Sequence, residues 1–153
     1  MSGTQSSDDD KNQALARRRY EIMSAQDWAA LSEVLHPDYV EEYPQSGERI
    51  RGLDNLRAIL EHYPGGLSGE VGPMTLIEEE PKYVMTPTFN VIKVVGQGST
   101  VTVWLRTRYP DGSDWYVVSV VTVRGDKLAK AVTFFAESFS PPDWRAGWVE
   151  SIE

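Results

Sequence analysis

Two adjacent carboxylates, Glu41 and Glu42, sit in VEEYPQSGERIRG (residues 40–52), ahead of Tyr43, Pro44 and the cations Arg49 and Arg51. In an extended segment successive side chains point to opposite faces, so one glutamate faces the interior and one faces out. A carboxylate inside an apolar cavity has a raised pKa, which suits proton transfer near neutrality. Alternation from Val40 turns Glu42 inward; the other reading leaves both glutamates at a solvated strand end, paired with Arg49 or Arg51. Tyr20 is the second chemical candidate. It shares a helical stripe with Ala16 and Met23, and a buried phenol needs a hydrogen-bond partner, either a ligand oxygen or another side chain.

The elements that position these groups follow from pattern. Residues 1–12 are polar and acidic and are expected to be a disordered, dispensable tail ahead of a single domain over 13–153. A first helix begins near Ala14. Asp27 caps a second, whose stripe is Trp28, Leu31, Val34 and Leu35, and His36-Pro37 ends it. Tyr39 to Tyr43 is a short strand. A third helix runs from about Asp54 to His62 and stops at Pro64-Gly65-Gly66. Beyond Val71 the chain reads as strand, near 74–79, 83–95, 100–109, 115–124 and 127–139, with turns at 96–98, 110–113 and 124–126. Helices first and an antiparallel meander afterwards predict an α+β domain. Both faces of the last strands are apolar, and the helices cover one, so a second copy of the chain is expected over the other as a homodimer. Trp144 and Trp148, after Pro141-Pro142, are expected to dock the C-terminal tail onto the domain.

Composition removes several classes of function. With no cysteine there is no disulfide, thiolate catalysis or sulfur-ligated zinc, and the two histidines, His36 and His62, form no ligand pattern. No metal or cofactor is expected. A net charge of −8 argues against nucleic acid, and Arg17-Arg18-Arg19 reads as a solvated helix face. No apolar run is long enough to span a membrane, and the N-terminus lacks the apolar core of a secretory signal; the expected location is the cytoplasm.

The element order, with DWAALSEVLHPDYVEE, RIRGLDNLRAIL, LAKAVTFFAESF and PPDWR, resembles the nuclear transport factor 2-like superfamily, and within it the SnoaL-like group, over roughly residues 14–148. The resemblance implies a cone of three helices on a curved sheet with an apolar pocket for a small apolar or polycyclic ligand. It implies cofactor-independent isomerase, cyclase or dehydratase chemistry, or a non-catalytic binding module. Tyr20 lies at the position similar to the isomerases' substrate-binding tyrosine. Their base position falls on Glu42 when matched from Val40, and on Tyr43 when matched from Pro44. Glu137 is the carboxylate nearest in position to the cyclases' late-strand aspartate. Tyr20 and Glu42 are thus the expected catalytic pair. Trp28, Tyr43, Trp104, Arg106, Ser119, Phe135 and Glu137 are the candidates for the pocket wall, although Trp104 and Arg106 serve equally at a dimer face and Arg106–Glu137 as a structural ion pair.

Overall fold

The computed structural model describes residues 2–62, 88–108 and 112–152. The strand expected at 74–79 lies outside them. Helices α1 (Ser2–Ala25) and α2 (Trp28–Val34) lead directly into β1 (Leu35–Tyr43), then β2 (Glu48–Arg51), α3 (Gly52–Glu61) and four long strands. These are β3 (Thr88–Gln97), β4 (Thr100–Arg108), β5 (Asp114–Arg124) and β6 (Lys127–Glu137), followed by a 3-10 turn at Asp143–Trp148. The six strands form one sheet in the order β2-β1-β6-β5-β4-β3. The β3–β6 meander is antiparallel, as expected, and β1 joins β6 in parallel.

Local chemistry accounts for the helix boundaries. Gln26 adopts a left-handed φ of 54°. Its N–H reaches the Met23 carbonyl and that of Asp27 reaches Ile22, the paired bonds that close a helix C-terminus. The Asp27 side chain then accepts from the Ala30 N–H at 3.0 Å and starts α2. Strand β2 was not anticipated from the sequence. Its four residues are too short to show a period, and a turn at Gly47, with φ 74°, folds it back against β1.

All three helices lie on one face of the sheet: α1 over β3, β4 and β6, α2 against β1 and β6, α3 against β1 and β2. The core between them contains Ala16, Leu31, Leu56, Val101, Val103, Leu105, Val121 and Leu128, all essentially inaccessible to solvent. Each leucine or valine among them contributes about 1.5–3 kcal/mol through removal from water.

Both chain ends depart from expectation. The segment expected to be a disordered tail continues α1 back to Ser2. It is also tied to the β3–β4 turn: Gly98 N–H donates to Asp9 at 2.7 Å, Asn12 donates to the Gly98 carbonyl at 2.8 Å, and Gln13 donates to the Gly96 carbonyl at 3.1 Å. Gly98 meets this turn geometry with φ 61°, which costs a glycine little. At the other end, the expected docked tail is not docked: Trp144 is 74% exposed and Trp148 82%. Pro141-Pro142 directs the chain away from the sheet in an extended conformation rather than back over it.

Candidate functional site

The polar centre of the molecule is on the helix-covered face of the sheet, where β1, β6 and β5 run side by side beneath α1. Glu41 on β1 and Arg19 on α1 form an ion pair at 2.8 Å, with side chains only 4% and 1% exposed. The second Arg19 terminal nitrogen donates to the Tyr20 hydroxyl at 3.2 Å. Tyr39 donates to Glu41 at 3.1 Å and Thr133 donates to its other oxygen at 3.2 Å. Ser119, directly opposite Thr133 in register, lies 2.9 Å from the Thr133 hydroxyl, and it also bonds Tyr20. The Arg19 guanidinium stacks over both phenol rings, 5.0 Å from the centroid of Tyr20 and 5.6 Å from that of Tyr39.

An ionised carboxylate only accepts hydrogen bonds, and a hydroxyl carries one proton. Glu41 therefore takes the protons of Tyr39 and Thr133. Thr133, having given its own, accepts from Ser119, and Ser119 accepts from Tyr20. The hydroxyls thus point one way, from Tyr20 through Ser119 and Thr133 to Glu41, with Arg19 bonded to both ends. Such a chain can pass a proton between its ends by reorientation of each hydroxyl in turn. Among the described residues, Arg19 Nε and the Thr107 hydroxyl are buried and have no hydrogen-bond partner.

Burial shifts these groups in ways their neighbours oppose or reinforce. Burial alone would lower the Arg19 pKa, but Glu41, with Tyr39 and Tyr20, raises it well above the ordinary arginine value. Burial raises the Tyr20 hydroxyl, opposed by the Arg19 charge. It raises Tyr39 further, also against Arg19, with the Glu41 charge adding to it. A phenol whose folded pKa lies above its unfolded value of about 10 stabilises the fold fully below that pH and loses the contribution as pH rises through the folded pKa. The urea midpoint should accordingly fall above about pH 10, and Tyr39→Phe should flatten the fall. An equally steep fall in Tyr39→Phe would place the titration elsewhere.

The expected Glu42–Tyr20 pair does not form. Glu42 lies on the opposite face, where Arg49 binds it at 2.8 Å and Lys130 closes on its other oxygen. The Lys130 and Arg49 hydrogen bonds hold its carboxyl below the usual range. Val40 misled the phase, because it too lies on the outer face. The inward residues of β1 are Tyr39, Glu41 and Tyr43, and Ile50, buried on β2, pairs with Glu41 in register.

Of the other candidates, Ser119 joins the network. Tyr43 and Phe135 meet edge to face at 5.1 Å on the same inner face, further along β1 and β6. Trp28 is half-buried at the start of α2 with the Arg57 guanidinium 5.7 Å from its ring. Trp104 and Arg106 are on the outer face of the sheet, away from the helix-covered side. Arg106 bonds Asp114 at 3.3 Å rather than the exposed Glu137. Among the described residues no three His, Asp or Glu side chains cluster as metal ligands, and no helix is long and apolar enough to cross a membrane.

Sequence reasoning missed Arg19, Tyr39, Glu41 and Thr133. A signal existed for Arg19: it is three residues from Ala16 and four from Met23, inside the stripe that identified Tyr20.

Comparison with known proteins agrees with this fold. The chain is 28% identical to an NTF-2 like protein of unknown function from Burkholderia xenovorans LB400. That match covers 94% of this chain and 97% of the other, with a TM-score of 0.70. A Kribbella flavida DSM 17836 protein, provisionally assigned as a ketosteroid isomerase, is 21% identical over 95% of this chain and 93% of its own, with a TM-score of 0.73. A provisionally assigned SnoaL-like polyketide cyclase from Shewanella putrefaciens CN-32 is 12% identical over 82% and 89%, with a TM-score of 0.61. No curated protein matches the chain. The family model for the SnoaL-like domain matches residues 16–131, which hold Arg19, Tyr20, Tyr39, Glu41 and Ser119. With its helices on a curved six-stranded sheet, the chain belongs to the SnoaL-like family of the nuclear transport factor 2-like superfamily.

Proposed function

We propose that the chain binds a small, largely apolar molecule carrying a carbonyl oxygen, and acts on it by acid–base chemistry without a cofactor, as an isomerase, cyclase or dehydratase. The observation that carries this reading is Arg19 Nε, a buried cationic N–H donor without a partner among the described residues, adjacent to an inward carboxylate and a phenol. Leaving such a donor unmade costs about 1–3 kcal/mol, and a ligand oxygen would meet it. The provisional assignments of the Kribbella and Shewanella proteins point to the same chemical class.

In this reading the substrate oxygen accepts from Arg19. A C–H bond next to the carbonyl breaks, its electron pair forms the enolate, and the guanidinium stabilises the developing charge. The proton goes to Glu41 once Thr133 turns its hydroxyl from Glu41 to Ser119. Return of the proton at another carbon gives an isomer; departure of a β-hydroxyl with the Glu41 proton, as water, while the enolate electrons form the C=C bond, gives dehydration. The rival reading, a binding module without turnover, is favoured by one fact: each Glu41 oxygen already has an internal partner.

Solvent exchange separates the two. A panel of apolar and polycyclic ketones is incubated with the protein in D2O and followed by NMR. Deuterium should enter next to the carbonyl, and Glu41→Asp should slow entry by roughly a hundredfold or more. Tyr20→Phe should slow it less, because the hydroxyl is one donor of several. Ketone binding without exchange would reject the enzyme in favour of the binding module, and no binding would reject both.

The outer face of the sheet supports the proposal that the chain acts as a homodimer. Trp104, Val118 and Phe134 pair in direct register across β4, β5 and β6 and are all exposed. Val120 and Val132 form a second apolar row beside them. A stable interface removes about 800 Å² from each partner, and a sheet face of this kind is large enough to supply it.

A further inference from the structure

We infer that residues 138–152 are an exchanged strap, laid by each copy of the chain across the outer sheet face of the other; the inference rests on the homodimer proposed above. The segment is strongly apolar, yet it packs little surface against its own domain. Phe139 is 79% exposed, Trp144 74%, Trp148 82% and Ile152 96%. Aromatic side chains bury about 150–250 Å² each when covered, so leaving three of them in water is unfavourable.

Among the described residues, an exposed apolar surface of matching character is the Trp104–Val118–Phe134 row with its neighbours. That face carries charges as well as apolar groups. Register with Trp104, Glu42 and Asp114 places Lys93, Arg106, Arg108 and Lys130 on that face. In a two-fold interface both copies present these cations; Arg106 and Arg108 bond Asp114, and Lys130 bonds Glu42, within their own copy. The strap carries Asp143 and Glu150 against Arg145. Interposed, it brings indole rings to the apolar row and carboxylates to the cations, and arginines also stack favourably on indole.

Geometry favours the partner's face over its own. The Ser138 N–H still pairs with the Asp114 carbonyl at 3.1 Å, so the strap departs from the end of β6 beside β5. Pro141-Pro142 then holds it extended, with Pro142 at φ −69° and ψ 143°. An extended polyproline-like segment advances about 3.1 Å per residue, so 138–142 spans roughly 15 Å. Facing sheets stand about 10 Å apart, so that reach crosses to a second sheet. Two straps, each burying three aromatic side chains, would contribute on the order of 1,000 Å², most of what a standard interface requires.

The experiment compares the full chain, a chain ending at Glu137, the double variant Trp144→Ser/Trp148→Ser, and Phe134→Lys. Each is followed by sedimentation or light scattering over a dilution series, with circular dichroism to confirm folding. The full chain should be a dimer near twice 17.2 kDa at micromolar concentration, and the other three should dissociate at least a hundredfold more readily. Tryptophan emission of the full chain should shift to the red on dilution as Trp144 and Trp148 enter water. If the truncated and double-tryptophan chains dimerise as tightly as the full chain, the strap is rejected while the homodimer stands. A monomeric full chain at micromolar concentration would overturn both.

Discussion

Arg19→Met should lower stability by about 3–5 kcal/mol, because it leaves Glu41 buried as an unpaired charge. For a chain of this size that corresponds to a fall in Tm of roughly 10 °C. The double variant Arg19→Met/Glu41→Gln removes both charges while keeping an oxygen acceptor for Tyr39 or Thr133, so it should recover most of the loss. A buried ion pair stabilises a fold weakly compared with apolar groups of the same shape, yet breaking it is costly. The measurement is a double-mutant cycle by urea unfolding, in which the two single losses should greatly exceed the double. A single Arg19→Met loss below about 1 kcal/mol would mean that water reaches Glu41 and that the network is open.

That pair also marks where the sequence stopped being readable. The α+β class, the three helices and the antiparallel meander were legible because each rests on a local signal: Asp27 as a cap, Gly and Asp in the turns, period-two runs of Val and Thr. The site was half legible. Tyr20, in the buried network, is legible from a helical stripe, whereas Ser119 is suggested only by the resemblance to the isomerases. Glu41 was passed over for Glu42 because Val40 was taken as the inward marker in a sheet that is apolar on both faces, where a valine carries no information about side. Tyr39, a larger side chain one position earlier, sets the phase. Arg19 belongs to Arg17-Arg18-Arg19, which reads as a solvated helix face, and its partner is 22 residues away in the chain, on another element. Pairings of that kind arise from tertiary packing and leave no periodic trace. The same limit applies to the C-terminal tryptophans. Their composition implies that they must be covered, but not by what.

Adjacent residues on β4 give the sharpest contrast in expected effect. Leu105 is wholly buried on the helix-covered face, paired in register with Val91 on β3 and Val117 on β5. It lies in a central strand with apolar neighbours on both sides, so the surrounding backbone can collapse only partly into a gap. Leu105→Ala should therefore cost about 2–5 kcal/mol, the lost transfer energy plus the cavity left behind. Trp104, one residue earlier, projects from the other face beside Tyr116, at 6.4 Å between ring centroids. In a monomer its loss removes only partly exposed surface, so Trp104→Ala measured at nanomolar concentration should stay within about 1 kcal/mol of the parent. At micromolar concentration the two variants should differ, because a dimer adds its own association energy to the apparent stability. Trp104→Ala should then lose a concentration-dependent stabilisation that Leu105→Ala retains. Unfolding midpoints recorded at both concentrations for the two variants decide the matter. A Trp104→Ala penalty that is large and independent of concentration would place that indole inside the protomer and reverse the assignment of the two faces.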